Sequence, residues 1–205
     1  MRKSRKDKKG ATLIELVITM VLLAIIGATL FGVIIFFVQL FMYSPRQLDT
    51  QKIGQELENI MIEGNQDIRG LRWTRVVLDA SAAQFSYIYG YPTISDGQAV
   101  RLRWNAADKK IYRSTSSNGG GSWSAETIIP VYLLNNSSIS IDGKDTSGVI
   151  FTYKKAGDIA WVSGTDALTD IRAVIISINV KTGAGSFANF QGSSNITASA
   201  EIKSL

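Results

Sequence analysis

The chain has 205 residues, no cysteine, no histidine and a formal net charge of +5. Without cysteine no disulfide can staple the fold, and without histidine the commonest general base and metal ligand are missing, which excludes a histidine-based triad. Residues 1–10 hold six basic side chains (Arg2, Lys3, Arg5, Lys6, Lys8, Lys9) against Asp7, and the remainder carries sixteen basic and sixteen acidic residues, so no basic field is left to attract phosphate.

The basic leader ends at Gly10 and a long apolar run follows. From Leu16 to Val38 there is no charge; as a helix this stretch is roughly 35 Å long, enough to cross a bilayer. An ordinary secretory signal has an apolar core of about 7–15 residues and then a small-residue cleavage site; this run is longer and no such site follows it. Basic residues before a span stay cytoplasmic, so the bulk of the chain is expected outside. Glu15 stands alone at the head of the span, where an ionisable residue is a functional hypothesis by default. A plain single-pass anchor accounts for the length and the basic flank, but not for Glu15 or for the glycine that ends the leader. On these residues alone, a membrane-anchored extracytoplasmic binding domain that never polymerises stays open as the alternative.

Gly27 and Gly32 interrupt the bulky run. Glycine lowers helix propensity by about 1 kcal/mol against alanine, so both are candidate points of loosening, with close helix packing as the other reading. Pro45 is expected to kink or break the helix where the chain leaves the membrane. Beyond it, Leu48, Ile53, Leu57, Ile60, Met61 and Ile68 recur largely at three-, four- and seven-residue spacing. They predict an amphipathic helix running to about Asp67, with Gly64 tolerated near its end and Gly70 closing it. The expected divisions are a leader (1–10), a hydrophobic helix (11–44), an amphipathic helix (45–70) and a β-rich head (71–205).

The pattern then shifts to period two. Gln84–Tyr91, Ala99–Trp104 and Lys110–Ser114 read as strands, with Val100, Leu102 and Trp104 on one face and Arg101 and Arg103 on the other. Asn118–Gly121 reads as a flexible loop, and Glu126–Leu134 as a short extended piece. Ser138–Ile141, Val149–Tyr153, Ile171–Val180 and Ile196–Ile202 are further strands; Val174, Ile176, Ile178 and Val180 mark a core face. The fold class is α+β: one long helix packed on an antiparallel sheet.

Other constellations point less far. Asp142-Gly143-Lys144-Asp145, with Asp158 nearby, offers weak calcium candidates in Asp142 and Asp145, but the spacing is not that of an EF-hand and Asp-Gly is first a turn signal. Arg101, Arg103, Arg113, Lys109 and Lys110 outline a basic hairpin face whose simpler reading is a solvated surface. Trp73, Trp104, Trp123 and Trp161 read as packing residues. Asp79, Asp96, Asp166 and Asp170 form no paired-carboxylate motif, so no enzymatic role is expected. Asn135 and Asn195 fit a glycosylation pattern that carries little weight here.

The run Gly10-Ala11-Thr12-Leu13-Ile14-Glu15-Leu16 resembles the processing site of type IV pilins and type II secretion pseudopilins. The resemblance implies that a membrane peptidase cuts after Gly10 and methylates the new amino terminus on Ala11, where the family usually has phenylalanine. It implies that Thr12, Leu13, Ile14, Glu15 and Leu16 take part in subunit assembly, with Glu15 meeting the amino terminus of an adjacent subunit. Residues four apart lie on neighbouring helical turns, and a carboxylate in low dielectric strongly favours a positive partner. Such a pair is better evidence for register than for net stability. Many pilins carry proline at the position of Gly32. Asn65–Arg72, Phe85–Tyr91 and Ile111-Tyr112-Arg113 are similar to minor pilins and J-type pseudopilins, and the lack of a cysteine pair argues against a major pilin. Glu15 itself argues against the K-type subunit, which usually lacks it. The implied protein is a structural subunit of a pilus or pseudopilus in a bacterial cytoplasmic membrane. It needs no cofactor, and its partners are a prepilin peptidase, other pilin-like subunits and the membrane, with no nucleic acid.

Overall fold

The apolar run and the amphipathic stretch after it fold as one helix, α1 (Leu13–Ile62). The structure, a computed structural model, describes residues 12–65, 68–89, 97–129, 139–144, 148–182 and 192–202, with the backbone alone for residues 42–46. The chain divides into two units, Met1–Met42 and Tyr43–Leu205, and α1 contributes to both.

In the first unit, Leu13–Phe41 is long and apolar enough to cross a membrane, and none of its apolar window is buried within the chain. The Thr19 hydroxyl lies 2.8 Å from the Glu15 carbonyl and 2.9 Å from that of Leu16, and the Thr29 hydroxyl donates to the Ile26 carbonyl at 2.8 Å. The polar groups of these threonines are thus met inside the helix, as an apolar surrounding demands.

The break expected at Pro45 is absent, because α1 continues through it to Ile62. Proline forfeits the bond to the carbonyl four residues earlier, at about 3 kcal/mol. In the second unit the turns beyond it are held from outside. The Gln47 side-chain amide donates to the Ser193 carbonyl at 2.9 Å and accepts from the Ser193 N–H at 3.2 Å. The Thr50 and Thr182 hydroxyls meet at 2.6 Å in a buried position. Thr50, Ile53, Leu57 and Met61 form the buried stripe, whereas Leu48, expected in it, is 63% exposed. Ile60 and Ile68 are partly covered.

The helix also stops earlier than periodicity suggests. Gly64 has φ +94°, the left-handed conformation that ends helices. Its N–H bonds the Asn59 carbonyl at 3.2 Å, and the Gly70 N–H bonds the Glu63 carbonyl at 3.1 Å. Gly64 and Arg69 form an antiparallel bridge, which brings the end of α1 beside Arg69 and Gly70. The expected helix end at Asp67 lies outside the described residues.

Strands β1 (Thr74–Ala80), β2 (Gln84–Tyr89), β3 (Ala99–Asn105), β4 (Lys110–Ser116) and β5 (Thr127–Ile129) form an antiparallel meander in chain order. A second antiparallel sheet holds β6 (Ile139–Gly143), β7 (Phe151–Lys154), β8 (Ala173–Thr182) and β9 (Gly192–Glu201). β6 pairs with residues 178–182 of β8 and β7 with residues 173–176, so the two share one edge of β8 while β9 takes the other. There are therefore two sheets where one was expected. Alternation reveals which face of a strand is covered but not which sheet it joins.

One apolar core spans α1 and both sheets. Aromatic rings join the layers: Phe85 lies 5.6 Å from Tyr87, 6.3 Å from Phe151 and 5.5 Å from Tyr153, centroid to centroid. The Tyr87 hydroxyl donates to the Arg69 carbonyl at 2.9 Å and that of Tyr153 to the Ser81 carbonyl at 2.7 Å. Burial pushes both phenols up from their ordinary range, so they stay neutral donors.

Between β7 and β8 the chain makes a self-bonded excursion. Lys155 Nζ meets Asp166 Oδ1 at 2.8 Å, the Val162 N–H donates to Asp166 Oδ2 at 2.8 Å, and the Trp161 indole donates to the Ala167 carbonyl at 2.9 Å. The Lys155 ammonium first, and the Val162 N–H second, hold the Asp166 carboxyl below its ordinary range.

Candidate functional site at the amino-terminal end of the helix

The head of α1 is built from Thr12, Leu13, Ile14, Glu15 and Leu16. All five are exposed, with Leu13 84% accessible. Leu13 is the first helical residue and Glu15 lies in the first turn. The Leu16 N–H donates to the Thr12 carbonyl at 3.2 Å, the opening bond of the helix. The Glu15 carboxylate turns back, and its Oε2 accepts the Thr12 N–H at 2.9 Å. The site thus presents a carboxylate at the head of an uncovered apolar helix. It can bind a cation and pack against other apolar surface, and it offers no nucleophile with an activating base.

A family described as the prokaryotic N-terminal methylation motif matches residues 5–31. The match takes in part of the basic leader and the first part of the apolar helix. Among solved structures, a type IV-like pilin from Thermus thermophilus resembles this chain at 8% identity, over 82% of this chain and 96% of that one, with a TM-score of 0.39. No curated protein matches the chain.

Gly10 and Ala11 lie outside the described residues, so the motif alone speaks for them. Gly27 and Gly32 sit within the continuous helix, and a Cβ added at either would meet nothing within 4 Å among the described residues.

The weaker candidates of the head resolve into local partnerships. Asp142 lies 3.3 Å from Lys109 Nζ and 3.8 Å from Lys181 Nζ. Two ammonium groups already neutralise this carboxylate, which is the wrong surrounding for calcium. Asp145 lies outside the described residues. The basic hairpin face is also engaged: the Arg101 guanidinium sits 4.4 Å from the Trp123 ring centre, and Arg103 Nε donates to Glu126 at 2.8 Å. That pairing holds the Glu126 carboxyl below its ordinary range. Trp104 donates to the Ile141 carbonyl at 2.7 Å, and Arg69 covers Trp73 at 4.8 Å. The tryptophans are therefore spent on packing and local bonds.

Sequence reasoning missed two features. Gln47, Thr50 and Gly54 form the polar, close-fitting seat of α1; a Cβ at Gly54 would come within 2.2 Å of Ile196 Cδ1. The other is the bond from Thr12 to Glu15, whose Thr-x-x-Glu spacing is a known helix-start signature.

Proposed function

We propose that the chain is a prepilin-like structural subunit, cut after Gly10, methylated on Ala11 and assembled through α1 into a filament rooted in the cytoplasmic membrane. The observation that carries this reading is the methylation motif at residues 5–31 joined to an apolar helix, Leu13–Phe41, none of whose apolar window is buried among the described residues. An apolar surface of that length needs lipid before assembly and neighbouring helices after it. Glu15 then sets axial register against the amino group of an adjacent subunit, since an unpaired carboxylate in that surrounding is costly.

The basic leader supports a cytoplasmic start and an extracytoplasmic head. Its partners are the prepilin peptidase, other pilin-like subunits and the membrane. We assign it to the minor subunits of a pilus or pseudopilus, with no catalytic step of its own, and Gly27 and Gly32 as places where the span loosens during assembly. Intact mass of the protein from membranes of cells carrying the cognate peptidase tests the reading. Loss of residues 1–10 together with gain of one methyl group on Ala11 is the expected result. A full-length chain despite active peptidase overturns it and leaves a plain anchored domain.

A further inference from the structure

A strand at the edge of a sheet exposes a row of backbone N–H and C=O groups that another chain can pair with, and proteins generally cover or blunt such edges. In the second sheet β6 and β7 are covered. On β6 the Ile141 N–H donates to the Lys109 carbonyl at 2.7 Å, and the Ile141 carbonyl accepts the Trp104 indole N–H at 2.7 Å. On β7 the Phe151 N–H donates to the Ala82 carbonyl at 3.1 Å, and the Tyr153 carbonyl accepts the Trp161 N–H at 3.0 Å. β9 is sealed only near its start, where the Gln47 amide takes both the N–H and the carbonyl of Ser193.

Those two bonds fix which way the backbone faces. Ser193 points away from β8, and the direction alternates along an antiparallel strand. Asn195, Thr197, Ser199 and Glu201 therefore also present N–H and C=O outward, while the Ile202 N–H, of opposite parity, turns inward to the Arg172 carbonyl at 2.8 Å. Among the described residues β9 pairs with β8 alone, and no group bonds these outward backbone atoms. All four residues are exposed. Beside the end of this edge lies a groove of about 470 Å³, lined by Ile62, Glu63, Arg72, Ser199, Ala200 and Glu201. Glu63 holds Arg72 at 2.7 Å, whereas Glu201 has no cationic partner among the described residues. The groove thus carries one unbalanced negative charge.

We propose that the open edge of β9, from Asn195 to Glu201, docks an extended segment of a partner protein as an added strand, with a lysine or arginine of that segment beside Glu201 in the groove. The backbone selects an extended chain, because a strand meets N–H and C=O groups at every second residue. The charge selects a basic one. A second copy of β9 does not supply it, since Gly192–Glu201 contains no lysine or arginine and ends in a glutamate. This docking goes beyond assembly through α1 and does not depend on cleavage or methylation.

Amide hydrogen exchange, resolved by NMR on the full chain in detergent micelles, tests the edge with a short end-blocked peptide alternating valine and lysine. Exchange is expected to slow at Asn195, Thr197, Ser199 and Glu201 and to stay unchanged at the residues between them. In Thr197→Pro the peptide is expected to bind at least about tenfold more weakly, the scale of losing two hydrogen bonds. The Thr197 N–H faces outward, so proline there breaks no bond to β8, and edge strands tolerate it. In Glu201→Gln binding is expected to weaken about two- to fivefold, the scale of one exposed ion pair. The same peptide N-methylated at alternate residues cannot bond the edge, and it makes the comparison without altering the protein. Unchanged exchange at millimolar peptide, equal binding of the N-methylated peptide, or slowing spread evenly along β9 overturns the docking edge. Equal binding of a peptide with glutamate in place of lysine overturns the basic partner. Tighter binding of a peptide copying Gly192–Glu201 overturns it in favour of a second copy.

Discussion

Replacing Gly70 by alanine isolates one steric contact. Gly70 is extended (φ −78°, ψ −174°), a conformation that alanine adopts without strain. A Cβ there would lie 2.4 Å from the Ile62 carbonyl oxygen and 2.5 Å from the Gly64 nitrogen. Both are backbone atoms, and real Cβ contacts essentially never fall under 3.0 Å. The turn must open, at the expense of the Gly70–Glu63 hydrogen bond and the Gly64–Arg69 bridge. One or two such bonds at about 1 kcal/mol each, with an overpacking cost of about 1–3 kcal/mol, give an expected destabilisation of about 2–5 kcal/mol. Gly119→Ala is the control. Its φ is +66° with nothing within 4 Å of the added Cβ, so only the left-handed penalty of about 1–2 kcal/mol applies. Urea unfolding of the full chain in detergent, followed by near-ultraviolet circular dichroism, reads both. If Gly70→Ala unfolds within about 0.5 kcal/mol of wild type, or shifts less than Gly119→Ala, the close approach of the two turn segments is wrong.

Leu57, fully buried, and Leu48, 63% exposed, should respond oppositely to truncation in the same unfolding assay. Leu57→Ala is expected to cost about 2–5 kcal/mol and Leu48→Ala less than about 0.5 kcal/mol; similar values would mean the buried stripe is misassigned. Thr50→Val should destabilise by about 1 kcal/mol, and the double variant with Thr182→Val by less than the sum of the singles; strict additivity would deny the hydroxyl contact. The folded-state pKa of Asp166 is depressed by Lys155 and the Val162 N–H. Its contribution is therefore complete above the ordinary aspartate value of 3.8 and lost as pH falls through the lower folded value. The NMR signal of the Trp161 indole N–H should hold steady from neutral pH down to about 4 and move only below that. A shift centred near pH 6 would contradict the ion pair, as would an unchanged profile in Lys155→Met.

Regular alternation made much of the head legible. Val174, Ile176, Ile178 and Val180 are all buried on β8, and Ile196, Ala198 and Ala200 on β9 follow the same rule. β1 was not foreseen because two register shifts against β2, between Thr74 and Val76 and between Val77 and Asp79, scramble its alternation. Leu48 misled because apolar spacing on a helix cannot say how far the covering sheet extends. Pro45 misled because its local penalty was weighed without the seat formed by Gln47 and Thr50. The terminal site divides similarly. Glu15 stood out by charge, whereas its bond to Thr12 was written in the Thr-x-x-Glu spacing and eclipsed by the more conspicuous span.

The place of β9 in chain order has a consequence for biogenesis. α1 leaves the ribosome well before the strand that seats it: Gln47 and Ser193 are 146 positions apart. Closing so long a loop is slow relative to forming the β8–β9 hairpin. Until β9 is made, Gln47 lacks its partner at Ser193 and Gly54 lacks the Ile196 side chain that packs over it. The seat of α1 is thus completed only once β9 has been made, because Gln47 takes both its bonds from Ser193.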